Sequence, residues 1–185
     1  MKRLLELFVV SLYLIQFSLF LAVWLSFDFE NYFFLGIPLI FVLVSVILAV
    51  LNIGNAVYFT RKMVANPSII KSTGRTVLKI KLLAVPFYVL NFLLWTTLSG
   101  LFIVMPGNVF FIFIAIPAGI GFAYLAMLAS SSYSIGLLFA LKKNKKISFV
   151  KFVFVAICLL VFVADILGQM IVMRFAAKAD LFHKG

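Results

Sequence analysis

The sequence predicts an all-α integral membrane protein with five transmembrane helices, the N-terminus in the cytoplasm and the C-terminus outside. Composition carries the first half of that reading. Hydrophobic residues make up 66% of the chain and charged ones 11%, against about 45–50% and about 25% in soluble globular domains. A mean hydropathy of +1.27 and 23 Phe point the same way. The second half comes from five apolar segments long enough to cross a hydrocarbon core of about 30 Å, and from Lys and Arg gathered in alternate connections. At 185 residues the whole chain, 1–185, reads as one five-helix transmembrane domain.

The first segment, 4–26, begins with Lys2 and Arg3 as a signal peptide would. It lacks a small-x-small cleavage site and carries Trp24 where one would fall, so it reads as a retained helix. The second, 33–59, contains a stripe of small and polar residues at Ser45, Ala49, Asn52 and Ala56, with Asn55 beside it. A basic connection follows, with Arg61, Lys62, Lys71 and Arg75; Asn66-Pro67 and Thr73-Gly74 are its turn formers. Lys79 and Lys81 fall in the first turns of the third segment, 77–104, and are expected to snorkel back to the interface.

The fourth segment, 109–141, exceeds a simple span, since a helix of that length extends roughly 50 Å. Pro117, Gly119 and Gly121 predict a kink. Along it Ala115, Gly119, Ala123, Ala126, Ser130 and Ser134 form one stripe of small residues, the pattern that lets helices in lipid approach closely. This stripe is expected to pack against a neighbouring helix, the stripe of the second segment being the candidate. Lys142, Lys143, Lys145 and Lys146 precede the fifth segment, 147–173, and Lys151 lies in its first turns.

Orientation follows from these positions. The N-terminus and the second and fourth connections hold most of the 16 basic residues, the first connection holds Asp28 and Glu30, and the third is uncharged. The positive-inside rule then places the second and fourth connections in the cytoplasm. A basic tail with Arg174, Lys178 and Lys184 leaves an alternative open, in which the last segment is re-entrant and the C-terminus is also inside.

Polar side chains within the spans are the candidate functional positions: Asn52, Asn55, Asn91, Asp165 and Gln169, with Gln16. Amides at such depths commonly hydrogen-bond between helices. An acid is different, because intramembrane carboxylates mark partner or ion sites by default. Asp165 lies roughly 27 Å along the last segment, which places it near the outer boundary, and no Lys or Arg within the spans is expected to pair with it. Gln169 follows one turn later on the same face.

Several chemistries are disfavoured. With one Cys (Cys158) and one His (His183) the chain lacks the ligand set of a zinc site and the paired groups of acid-base or nucleophilic catalysis, so it is read as no enzyme, without cofactor or metal. The net charge of +11 is explained by anionic lipid head groups at the cytoplasmic loops rather than by nucleic acid. Two function classes remain. One is an accessory or structural partner of a membrane complex, and the alternative is a small transporter or substrate-binding subunit whose polar cavity involves Asp165.

The run Ala-Ser-Ser-Ser-Tyr-Ser-Ile-Gly-Leu-Leu from Ala129, then Lys-Lys-Asn-Lys-Lys-Ile-Ser, then a helix containing Ala-Asp-Ile-Leu-Gly-Gln, resembles the C-terminal portion of small uncharacterised multi-spanning proteins of low-GC Gram-positive bacteria. The resemblance covers about the last quarter of the chain, up to Arg174. It implies a multi-pass protein of a bacterial plasma membrane and brings no activity or site with it.

Overall fold

The computed structural model describes residues 1–29, 36–104, 109–161 and 164–181. All regular structure among them is helical: α1 (Lys2–Phe29), α2 (Gly36–Ala65), a 3₁₀ turn (Pro67–Ile69), α3 (Ile70–Val104), α4 (Val109–Lys143), α5 (Phe149–Leu160) and α6 (Asp165–Leu181). Helices α1 to α4 are each long and apolar enough to cross a membrane; α5 is apolar but shorter. Glu30, the predicted start at Phe33, the third connection 105–108, His183 and Lys184 lie outside the described residues.

Packing alternates direction along the bundle. In α1, Leu5 clusters with Ala56 of α2, Val77 of α3 and Tyr133 of α4, while Gln16 reaches Asn91, so α1 and α3 run the same way. Lys81 touches Ser131, whereas Asn91 touches Gly119, so α4 runs opposite to α3. The sides of α2 and α4 meet through small residues: Ala49 and Ala126, one from each stripe, share a buried cluster with Ala129. Further along, a side chain at Gly136 would collide with the Thr60 hydroxyl.

The connection between α2 and α3 is tighter than predicted. Asn66 terminates α2 and caps the 3₁₀ turn, its carboxamide oxygen accepting from the Ser68 backbone N–H at 3.2 Å, while Pro67 supplies the turn's fixed φ. Thr73-Gly74, expected as a second turn, is helical. Gly74 lies against another helix, where a Cβ would meet the Met173 sulfur of α6, part of a flexible side chain that can shift. Helix α3 is therefore 35 residues long, or roughly 50 Å, and starts well before the predicted residue 77. Both α3 and α4 continue through an internal proline, Pro86 and Pro117. In the turn preceding Pro86 the Leu83 carbonyl accepts a second partner, the Tyr13 hydroxyl, at 2.7 Å; neighbouring helices commonly support proline-weakened turns in this way.

The largest departure concerns the fifth predicted span. The segment 147–173 is not one helix: it ends at Leu160, passes through extended backbone at Val161 (φ −95°, ψ 122°) and restarts at Asp165. The halves fold back on each other. At the start of α5, Phe149 and Phe152 lie under the Lys142 ammonium at 4.3 and 4.6 Å. Its end meets the middle of α4, where the Tyr124 hydroxyl donates to the Leu160 carbonyl at 3.4 Å. Helix α6 then retraces the path: Asp165 sits at the level of Lys81, Gln169 at Gly74, and Val172 and Ala176 join Met63, Ile70, Leu138 and Leu141 in a core at the α4 C-terminal end. Close contact between the halves is made at Gly168, where a Cβ would lie 3.0 Å from the Leu159 side chain. An acid suits the first turn of the restarted helix, because carboxylates complement the positive end of the helix dipole.

Candidate functional site

On α3 the residues Gly74, Val77, Lys81, Ala84, Tyr88 and Asn91 recur at three- and four-residue spacing, which places them on one helix face. Tertiary packing buries that face apart from Tyr88, which is half-buried. Lys81 is 2% exposed and Asp165 4%. The two form an ion pair; Lys81 Nζ also donates to Ser131 Oγ at 3.1 Å, and that hydroxyl donates to Asp165 Oδ1 at 2.6 Å. Three helices, α3, α4 and α6, thus each contribute one member of a closed triangle.

This corrects two expectations. Lys81 does not snorkel, and Asp165 does have a basic partner within the bundle. The reason is the shared face: two residues before Lys81, Lys79 points outward and is exposed, while Lys81 is rotated about 200° from it at 100° per residue and lies above the inward-facing Val77. Position relative to the span end, which suggested an interfacial lysine, mattered less than the helical face. The spacing Gly74, Val77, Lys81, Ala84 was the available signal.

Gln169, one turn beyond Asp165, is fully buried and donates through Nε2 to the Gly74 carbonyl at 3.1 Å. Only the amide nitrogen can make that bond, so its orientation is fixed and Oε1 is turned away, buried without a hydrogen-bond partner among the described residues. Ser134, one turn beyond Ser131 on α4, is equally buried with its hydroxyl unpartnered among the described residues.

The remaining candidate residues form separate groups. Tyr133, which sequence reasoning passed over, lies between α2 and α4 with its hydroxyl accepting from Asn55 Nδ2 at 3.0 Å and donating to Asn52 Oδ1 at 3.3 Å. Asn52 Nδ2 is used by the Leu48 carbonyl, at 2.9 Å. Asn91 accepts from Gln16 Nε2 at 3.0 Å and from Trp95 Nε1 at 3.1 Å, and donates to the Gly119 carbonyl at 3.4 Å. The single polar cavity that would unite Asn52, Asn55, Asn91, Asp165 and Gln169 is therefore replaced by three interhelical clusters.

Of the small-residue stripe on α4, Gly119, Ala123, Ala126 and Ser130 are buried; the side chain of Ala115 lies outside the described ones. The stripe divides between partners. Ala126 faces the cluster with Ala49, whereas a Cβ on Gly119 would sit 2.6 Å from the Trp95 indole of α3. Beside that contact, a groove of about 330 Å³ runs between α3 and α4, lined chiefly by Phe92, Trp95, Ile116, Ile120 and Tyr124. Its rim residues Phe92 and Ile120 are exposed on the outside of the bundle.

Comparison with known proteins gives a family and no activity. No curated protein and no solved structure matches the chain. A family profile described as a family of unknown function, DUF6652, matches residues 1–178, and the chain belongs to that family.

Proposed function

We propose that this chain is a multi-pass protein of a bacterial plasma membrane, with four full crossings and a re-entrant α5–α6 hairpin, and that it serves as a non-catalytic packing subunit of a larger membrane complex. Both termini then face the cytoplasm. Support for the topology comes from charge: the fold-back of α6 returns Arg174 and Lys178 toward the end that holds Arg61, Lys62, Lys71, Arg75, Lys142 and Lys143. In a five-span arrangement those tail residues would lie across the membrane, against the positive-inside rule. Anionic head groups are the natural partner of this basic end.

The packing role rests on one observation: the amide and charged side chains Gln16, Asn52, Asn55, Lys81, Asn91, Asp165 and Gln169 all bond to other helices of the same chain, in three separate clusters, rather than lining a shared path. Interhelical hydrogen bonds of this kind average about 0.6 kcal/mol each, which suits a rigid bundle offering its outer faces to a partner. The test is isolation of a tagged chain from its native membrane in mild detergent. A stoichiometric second membrane protein that stays bound through two purification steps is the expected result, and a chain that emerges alone at its own mass contradicts the reading.

A transporter reading keeps one specific point in its favour. The helix break between Leu160 and Asp165 stands beside a buried ion pair, and discontinuous helices with charged groups at the break are how many transporters form binding sites. Ligand-dependent uptake into vesicles holding only this protein would favour it.

A further inference from the structure

The triangle of Lys81, Ser131 and Asp165 is complete in itself, but it does not account for the two oxygens next to it. Helices α4 and α6 run parallel, with Ser131 on Asp165, so Ser134 and Gln169, about one turn on in each, fall at nearly the same level along the two helices. Ser134 Oγ and Gln169 Oε1 are both buried, with no hydrogen-bond partner among the described residues. Leaving such atoms unmatched costs roughly 1–3 kcal/mol each, and an amide oxygen can only accept. It calls for a proton donor or a cation.

We propose that Asp165, Ser131, Ser134 and Gln169 form a binding site for a monovalent cation, at which the Lys81 ammonium is a tethered competitor for the carboxylate. One carboxylate with neutral hydroxyl and amide oxygens is a hard-oxygen donor set of low charge. Among the group's neighbours Lys81 is the cation already seated on Asp165, occupying the position a free ion would take. The exchange requires the Lys81 ammonium to swing off the carboxylate on its flexible four-carbon stem. Binding of the ion and withdrawal of Lys81 are then one exchange, which conserves the charge of the seam. The inference concerns the isolated chain and does not depend on a partner complex.

The experiment is thermal unfolding of the purified full chain in lipid nanodiscs, titrated with NaCl, KCl or LiCl against N-methylglucamine chloride at constant ionic strength and pH. The parent should show a saturable rise in Tm with at least one alkali cation that N-methylglucamine does not produce. Ser134→Ala should raise the midpoint of that response roughly tenfold, the loss expected for one oxygen contact to a charge. Lys81→Gln should lower it by at least a similar factor, because the competitor is gone. Three results would overturn the site: no ion-specific response in the parent, an unchanged midpoint in Ser134→Ala, or an unchanged midpoint in Lys81→Gln. Unchanged ion response with equal or higher Tm in Ser134→Ala would mean that the hydroxyl meets an ordered water only. The parent and Ser134→Ala decide the matter even where Lys81→Gln does not fold, since neither disturbs the ion pair.

Discussion

A lysine and an aspartate removed together from water do not stabilise a fold in proportion to their attraction, because desolvation of both charges offsets most of it. What they enforce is pairing. Removing either partner of Lys81–Asp165 leaves an uncompensated buried charge, so Lys81→Met should destabilise the chain by about 3–5 kcal/mol. The double variant Lys81→Met/Asp165→Leu should recover most of that loss in a detergent-based unfolding assay. An additive pair of losses would mean that the two side chains act independently. At the same scale, Gly119→Ala should cost about 1–3 kcal/mol through overpacking against Trp95, and Trp95→Leu should relieve the cost. Gly54, whose added Cβ meets nothing within 4 Å, provides the control, where Ala should be neutral or slightly stabilising.

Among the elements, the end of α4 shows how a helix stops without the residue that usually stops it. Lys146 N–H reaches back to the Leu141 carbonyl and Lys145 N–H to that of Lys142, both at 2.9 Å, and Lys145 takes a left-handed φ of 55°. This is the Schellman arrangement with lysine in the position glycine favours. Lys145→Gly should therefore raise stability by about 1 kcal/mol, seen as a higher Tm; a fall would mean that the ammonium there has a partner of its own. The element scale is also where the sequence was most and least legible. Helices α1, α2 and α4 could be read from apolar length, and the contact of α2 with α4 from their small residues. The early start of α3 is hidden because Thr73-Gly74 reads locally as a turn, while the helix that packs on Gly74 lies about a hundred residues further along the chain, at Met173. The break after Leu160 was hidden for the opposite reason. Residues 147–173 are almost uniformly apolar, and such a run does not declare where it bends. Asp165 stands out in the sequence, but its partner does not, since the distance of Lys81 from a loop suggests an interfacial residue and only its helical face shows otherwise.

At the scale of the whole molecule, the bundle separates its surface by chemistry. Large apolar side chains such as Leu43, Val50, Leu83, Phe92 and Phe154 are exposed along the helices, while exposed basic residues such as Arg61, Lys62 and Arg75 gather at one end. That polarity makes sense if lipid covers the helix flanks and the basic end meets the cytoplasmic leaflet, and the hairpin is what brings α6 back to that end. The side of the membrane reached by α6 therefore decides between the hairpin and a fifth crossing, and single-cysteine labelling in intact cells measures it most directly. In a Cys158→Ala background, Asn144→Cys and Ala177→Cys should both resist an impermeant thiol reagent until the cells are permeabilised, while Glu30→Cys should react at once. Rapid labelling of Ala177→Cys in intact cells, at the rate of Glu30→Cys, would place α6 across the membrane and contradict the re-entrant hairpin.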